Sequence, residues 1–365
     1  MPRPTRARIN LDALRHNHSI ARRYAGSAHL WSVVKADAYG HGLLPAALGL
    51  QSVADGFALV EFEGAVELRA QGIRQPILML EGIYQADDLN LCLDYALTPV
   101  LHDLWQIDAL AAAALPTAIP VYLKLNTGMN RLGLSAVGLQ HALRRLEAAG
   151  CVSSVTLMTH FADADDERGI AEQMARFASD TDGLNLPVSV ANSAALLRFP
   201  ESTAMADNWA RPGIMLYGSS PFSHEQSALD LGLKPVMTLQ SEIIAVQQLQ
   251  AGDRVGYGGT FVATVPMRIG IVACGYADGY PRHAPTGTPV LVGGQRTRTL
   301  GRVSMDKLCV DLTGLEKVGP GATAILWGGD EKAYLAADEV ATAAGTIAYE
   351  LFCALAGRVS IEYAD

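Results

Sequence analysis

The sequence predicts an α/β protein: an N-terminal (β/α)8, TIM-type barrel followed by a mostly antiparallel β domain. Three observations predict it. Short apolar runs alternate with helix-patterned segments through the first two-thirds of the 365 residues, as parallel βαβ units do. These runs number eight, which suits a closed barrel, with a doubly wound sheet as the alternative. Near Leu231 the texture changes, and the β-type runs beyond it are separated by Gly, Pro and Asp.

Taken in order, the barrel strands are expected at residues 29–34, 56–60, 76–80, 95–100, 120–125, 152–158, 187–190 and 213–217. Each is a short apolar run between breaker or polar residues, the pattern of a buried strand. Helices are expected at 61–71, 102–114, 135–149 and 166–182, where apolar residues recur at helical spacing. The alanine-rich stretch 109–114 lies inside one of them and needs only helix propensity as its explanation. The charged cluster 163–168 reads as a solvated helix start. In the second domain, β runs are expected at 235–250, 267–274, 288–300 and 308–312. The stretches Val255-Gly-Tyr-Gly-Gly-Thr260 and Ala277-Asp-Gly-Tyr-Pro281 are dense in turn formers. The expected division is residues 1–231 for the barrel and 232–365 for the β-rich domain. A first strand at about 3–10 is available to pack with the C-terminal domain.

Composition narrows the function. Half of the residues are hydrophobic and 18% are charged, enough for a substantial core. Net charge is −9 with no broad basic tract, which argues against nucleic acid or an anionic membrane as partner. The basic start, residues 1–8, leads into no apolar stretch of signal-peptide type. The longest apolar runs stop well short of a membrane span. Five cysteines are scattered without a CxxC pair. They read as reduced core cysteines of a cytoplasmic protein, and no metal site is expected.

A barrel places its chemistry at the C-terminal ends of its strands. Lys35 ends the first run, in Trp31-Ser-Val-Val-Lys-Ala-Asp-Ala-Tyr-Gly-His-Gly42. A lysine at the mouth of a buried strand loses part of its solvation, and a neutral amine attacks a carbonyl to form a Schiff base. Lys124 ends the fifth run and leads to Arg131. His160 follows the sixth, Asn192 and Ser193 the seventh, and Arg211-Pro-Gly-Ile214 marks the eighth. Alone, His160 reads as a structural histidine, Asn192-Ser193 as a helix cap, and Arg131 as a surface charge. Their gathering at one end of the barrel points to a site. Ser193, Gly213 and neighbouring backbone N–H groups also suit a phosphate. A Schiff-base lysine beside a phosphate cradle points to pyridoxal 5'-phosphate, PLP. Neither a P-loop nor a strand-following Gly-x-Gly-x-x-Gly is present, so nucleotide binding has little support.

Ordered motifs extend along essentially the whole chain. They are Val33-Val-Lys-Ala-Asp-Ala-Tyr-Gly-His-Gly42, Leu123-Lys-Leu-Asn-Thr-Gly-Met-Asn-Arg-Leu-Gly133, Thr159-His-Phe161, Ala191-Asn-Ser193 and Arg211-Pro-Gly-Ile214 with Tyr217-Gly218. Gly256-Tyr-Gly258, Gly275-Tyr-Ala-Asp-Gly279, Gly301-Arg-Val-Ser-Met-Asp306 and Ala348-Tyr-Glu350 follow. With these the chain resembles the bacterial alanine racemases, barrel-type PLP isomerases. Two departures are Asp37, where Asn is commoner, and Ser304, where many members have Cys.

The resemblance implies roles residue by residue. Lys35 is the Schiff-base lysine and the base on one face of the cofactor. Tyr257 is the base on the other face, supplied by a partner subunit. Tyr39, Ser193, Gly213, Ile214 and Tyr349 bind the phosphate, with Asn192 beside them. Arg211 meets the pyridine nitrogen, and His160 links Arg211 to Tyr257. Arg131 lies near the cofactor's phenolic oxygen and the substrate carboxylate. Lys124 is carbamylated in several members. Met305 contacts the substrate carboxylate through its N–H. Tyr276 and Tyr349 narrow the entrance, with Asp306 beside them. A homodimer with composite sites follows, making D-alanine for peptidoglycan or serving alanine catabolism.

Two bases suit racemisation, because a proton leaves one face of Cα and returns to the other. An ordinary tyrosine, of pKa about 10, is a poor base near neutrality unless its phenolate is stabilised. Arg211, acting through His160, is the candidate for that. A broader amino-acid racemase of the same fold and a non-catalytic PLP-carrier barrel are the competing readings. The bulky entrance tyrosines argue against the first, and the Tyr257 and Met305 segments against the second.

Overall fold

A computed structural model describes residues 3–205, 207–330 and 332–365. The chain forms two compact units. One contains residues 15–38 and 42–216. The other gathers the segment up to Leu14, residues 39–41, and everything from Tyr217 onward.

After β1 (Arg6–Asn10), which belongs to the second unit, the chain enters the first. Its strands are β2 (His29–Val33), β3 (Gly56–Leu59), β4 (Ile77–Met79), β5 (Leu97–Leu101), β6 (Ile119–Lys124), β7 (Val152–Met158), β8 (Val188–Ser189) and β9 (Trp209–Ala210). All pair in parallel, in the order β8-β7-β6-β5-β4-β3-β2-β9. The two ends of this sheet meet. Ser189 Oγ donates to Trp209 O at 2.7 Å, Arg211 N donates to Ala191 O at 2.8 Å, and Asn192 bridges Arg211. The result is a (β/α)8 barrel. Strands β3, β4 and β5 are buried at every position, which is why they read as unbroken apolar runs.

The helix Ala136–Ala149 shows how the outer layer is specified. Ser135 Oγ accepts from Gly138 N at 3.1 Å, and Gly150 ends the helix at φ 61°, a conformation that favours glycine. Leu139, Ala142 and Leu146 recur on one buried face, each leucine contributing about 1.5–3 kcal/mol by burial. Inside the barrel, Trp31 stacks on Trp209 at 4.2 Å and donates to Tyr122 Oη at 3.0 Å. Gly56 makes room for it, since a Cβ there would come within 2.4 Å of the indole.

Two expectations require correction. The eighth strand is β9 (Trp209–Ala210), whereas Ile214–Tyr217 is a 3-10 turn. Residues 213–217 are apolar because the turn is buried; the ladder to β2 runs through Trp209 and Ala210. The helix expected at 166–182 spans Ala171–Asp180, because Arg168 folds back onto Asp163 and Asp166 in a turn. The compact units divide after Leu216. Tyr217 is fully buried against Tyr39 and His41 of the second unit.

The second unit contains β10 (Met237–Leu249), β11 (Arg254–Val255), β12 (Phe261–Val262), β13 (Met267–Val272), β14 (Pro289–Val292), β15 (Gln295–Leu300), β16 (Leu308–Asp311), β17 (Thr323–Asp330), β18 (Ala333–Leu335) and β19 (Ser360–Ala364). Its main sheet runs β18-β17-β14-β15-β16-β13-β10-β1-β19. Strand β10 also pairs with β17, so six of these strands close a ring. Every pairing is antiparallel except β1 with β19. Burial alternates along the first half of β10, as expected for a strand with one face on a core. Helices Ala337–Ala344 and Ala348–Cys353 precede β19.

Candidate active site

Lys35 follows β2, whose end is held from both sides. Val34 N donates to Ala58 O at 2.8 Å, and Val33 N to Pro212 O at 3.1 Å. The next residues adopt a conformation that L-amino acids avoid. Ala36, Asp37, Ala38 and Tyr39 have φ of 53–55°, and Gly40 has 75°. Ala38 N donates to Val34 O at 2.9 Å, which makes this a turn of left-handed helix. It costs about 1–2 kcal/mol per residue and persists only where the surroundings over-determine it. Asp37 tolerates the conformation better than most residues. Its Oδ1 also accepts from Leu43 N at 2.6 Å, at the start of the helix Leu43–Leu50. An asparagine offers the same tolerance and the same acceptor, which accounts for the exchange at this position.

Lys124 ends β6, and the loop after it returns to the same strand. Leu134 N donates to Lys124 O at 2.7 Å and Asn126 N to Leu134 O at 3.0 Å. Asn126 Oδ1 accepts from Gly128 N and Asn130 N within that loop. Arg131 is thereby carried back beside the strand end, with its side chain exposed. Burial, followed by the charges of Arg211, Arg131 and Lys35, lowers the Lys124 pKa to about 8. No carboxylate among the described residues lies within ion-pair distance of it.

Arg211, just beyond β9, is buried, and the barrel rim fixes its guanidinium. One terminal nitrogen donates to Ser189 O and Oγ, both at 2.7 Å. The other donates to Thr159 O at 2.6 Å and Val190 O at 3.3 Å, and meets His160 Nδ1 at 3.3 Å. Its Nε–H has no partner among the described residues. Burial lowers its pKa to about 10, so it stays cationic at neutral pH. Burial, then Arg211, Lys124, Arg131 and Lys35, holds His160 well below the ordinary imidazole value. Neutral His160 can therefore accept from Arg211 through Nδ1.

Asn192 caps the helix Ser193–Arg198, its Oδ1 accepting from Ala195 N at 2.9 Å. Ser193 Oγ accepts from Gly213 N at 2.9 Å, and Ile214 opens the adjacent 3-10 turn. The barrel thus brings Lys35, Lys124, Arg131, His160 and Arg211 into one electrostatic group, with Asn192, Ser193 and Gly213 bonded along the same rim and Ile214 next in the chain. Such a concentration of cations favours an anionic ligand.

The other residues predicted from sequence lie in the second unit. Tyr257 stands on the turn between β11 and β12, flanked by Gly256 and Gly258 at φ 70° and 73°, and is 71% exposed. A core of Val255, Ala263, Met267, Ile269 and Leu300 anchors its hairpin. Met305 is also exposed. Its loop joins that of Tyr276: Tyr276 N donates to Ser304 O, and Ala277 N to Met305 O, both at 3.0 Å. A Cβ at Gly275 would meet Ser304 O at 2.2 Å, so only glycine permits that approach. Tyr39 is buried, stacks on Tyr217 at 4.6 Å and lies 5.9 Å from Tyr349. Burial pushes its phenol above the ordinary pKa.

Sequence reasoning missed the residues that brace this site. Tyr122, two positions before Lys124 on β6, faces the same side of the strand and lies near Arg211. Ser189 and Thr159 hold the Arg211 fork. Gln173 Nε2 donates to Thr127 Oγ1 and His160 O, while its Oε1 accepts from Ala162 N. Alternation along β6 was the available signal for Tyr122; Gln173 gives none, since it reads as a polar helix residue.

Family models match both parts of the chain: the alanine racemase N-terminal domain at residues 9–221, and the alanine racemase C-terminal domain at residues 236–363. The chain belongs to the alanine racemase family. The catabolic alanine racemase of Salmonella typhimurium is 52% identical over 361 residues, covering 98% of this chain and 99% of that protein. The biosynthetic alanine racemase of Pseudomonas aeruginosa has a solved structure with a TM-score of 0.94 at 43% identity, covering all of both chains. That of Bartonella henselae, solved with covalently bound pyridoxal phosphate, gives 0.88 at 26% identity, again over all of both chains. The barrel unit therefore lies within the first of these matches, and most of the second unit within the other.

Proposed function

We propose that the protein is a PLP-dependent alanine racemase that interconverts L- and D-alanine with one base on each face of Cα. The observation that carries this reading is the barrel rim, where Lys35 shares an electrostatic group with a buried, fully oriented Arg211. The residues present fit PLP. Lys35 offers the amine. Arg211 Nε–H is a donor left over for the pyridine nitrogen. The Ser193 hydroxyl, which accepts from Gly213 N, keeps its own O–H as a donor to a phosphate beside the Ile214 N–H; Gly213, Tyr39 and Tyr349 belong to that set in the family pattern.

When bound, PLP withdraws electrons from the substrate and makes the Cα proton removable. The chain's own residues do the rest. Lys35 takes or returns the proton on one face, and Tyr257 does so on the other. Arg211 remains protonated, so it donates a hydrogen bond to the ring nitrogen without surrendering its proton. That limits charge delocalisation into the ring and favours return of the proton over side reactions. His160 connects Arg211 with Tyr257. Arg131 and the Met305 N–H bind the substrate carboxylate. Tyr276 and Tyr349, with Asp306 beside them, restrict the entrance to a small side chain. Lys124 serves as a carbamate that orients Arg131. Tyr257 and Met305, exposed on this chain, come from the second copy in a twofold homodimer. The same chemistry supplies D-alanine for peptidoglycan or serves alanine catabolism, in the cytoplasm. No helix among the described residues is long and apolar enough to cross a membrane.

The test is an absorbance spectrum of the purified protein and polarimetry with each alanine enantiomer. A yellow protein that racemises alanine is expected. Borohydride reduction should fix the cofactor on the Lys35 peptide, and Lys35→Ala should abolish both the label and the activity. A label on Lys124 or Lys307 would overturn the assignment.

A further inference from the structure

The second unit contains a cyclic arrangement of two arginines and two aspartates from four separate stretches of chain. Arg3 donates to Asp278 Oδ2 at 3.0 Å and to Asp306 Oδ1 at 3.2 Å. Arg358 donates to Asp278 Oδ1 at 2.7 Å and to Asp306 Oδ1 at 2.8 Å. Arg3 also reaches the carbonyls of Ala273, at 3.0 Å, and Asp306, at 3.2 Å. Asp278 is 1% exposed, and both of its oxygens are used, since Oδ2 accepts from Gly275 N as well at 2.9 Å. The cluster is neutral, two guanidinium groups balancing two carboxylates. Arg358 and then Arg3 hold the Asp306 carboxyl below its usual range. A buried carboxylate with two guanidinium partners is sustainable; removing one partner leaves charge uncompensated.

Its position gives the cluster a task. Asp278 ends the turn that carries Tyr276, and Asp306 follows Met305. The Tyr276 and Met305 loops are already joined by two backbone hydrogen bonds. We propose that Arg3 and Arg358 are positioning residues for substrate binding. They clamp these two loops in the arrangement that presents the Met305 N–H to the substrate carboxylate and Tyr276 to the entrance. The inference rests on the alanine racemase reading above. Neutrality is part of the design: loss of either arginine adds a net negative charge beside the loop that receives a carboxylate.

The test compares the wild-type holoenzyme with Arg3→Gln, Arg3→Lys and Arg358→Gln. KM and kcat for alanine are measured together with amide hydrogen exchange in peptides spanning 273–279 and 303–307. Arg3→Gln is expected to raise KM about five- to tenfold, to change kcat less than about twofold, and to speed exchange at Tyr276 and Ala277. Arg3→Lys keeps the charge and should recover most of KM. Arg358→Gln should act in the same direction and more strongly. If it fails to fold, the partly exposed Arg3 still carries the test. Faster exchange with unchanged KM would show a purely structural tie and overturn the proposal, as would unchanged exchange. Failure of the wild-type protein to racemise alanine would instead reject the activity, whatever the exchange data show.

Discussion

At the residue scale, Lys124 offers the sharpest test. Its pKa of about 8 lies below the ordinary lysine value of 10.5. Between those values the unfolded chain binds more protons than the folded one. The stability contribution of this lysine therefore rises with pH across that window and is lost as pH falls through about 8. The neutral amine is also the form that adds carbon dioxide. The N–C bond forms, a C=O electron pair moves onto oxygen, and the nitrogen releases a proton to solvent. A bound carbon-13 carbamate resonance should grow as bicarbonate-equilibrated enzyme is taken from about pH 7 to about 8.5. Lys124→Gln should abolish that resonance and lower activity about tenfold or more through a misplaced Arg131. An active enzyme with no such resonance would show that Lys124 works as an ammonium. Much of this residue-level picture was legible in sequence, because Lys35, Lys124 and His160 each interrupt an apolar run where a buried strand stops. Tyr257 was not legible physically: a tyrosine between glycines reads as an ordinary turn, and only the family resemblance gave it a role.

At the element scale, the left-handed turn after Lys35 predicts an unusual mutational response. Ala36 is exposed and has φ of 53°. Glycine at 36 loses no buried methyl and removes the steric cost of the conformation, which outweighs its extra freedom in the unfolded chain. Ala36→Gly should therefore stabilise the protein by about 0.5–1 kcal/mol in denaturant unfolding. A loss of stability of that size would mean the turn is not left-handed in solution. The sequence could not announce this turn, because Ala-Asp-Ala-Tyr favours right-handed backbone. The eighth strand was obscured differently. Strand β9 has only two residues, while the neighbouring 213–217 turn is apolar through burial. Long runs with intact alternation or helical spacing, such as β7, β10 and Ala136–Ala149, were read to within a few residues.

At the scale of the whole molecule, the two proposed bases sit on different compact units, and Tyr257 is exposed on its own chain. If each site draws Lys35 from one copy and Tyr257 from the other, inactive Lys35→Ala and Tyr257→Phe proteins should complement one another. After full random exchange of an equal mixture, half of the dimers are mixed, and each mixed dimer has one intact site of two. Roughly a quarter of wild-type activity should return. Verified exchange without any recovery would place both bases on one chain.

The pairing of β1 has a consequence for synthesis on the ribosome. Residues 6–9 pair with residues 237–240 on one side, and residues 6–10 with 360–364 on the other. Translation at about 5–20 residues per second leaves this strand waiting roughly 10–50 s for its first partner, while the intervening barrel is made and folds. A waiting strand with free edges invites association with other nascent chains. Arg3, Arg6 and Arg8 place three positive charges among the first eight residues, the kind of charge that disfavours edge-to-edge pairing. Replacing these three arginines with uncharged residues is therefore expected to increase aggregation during synthesis more than it lowers the stability of the folded protein.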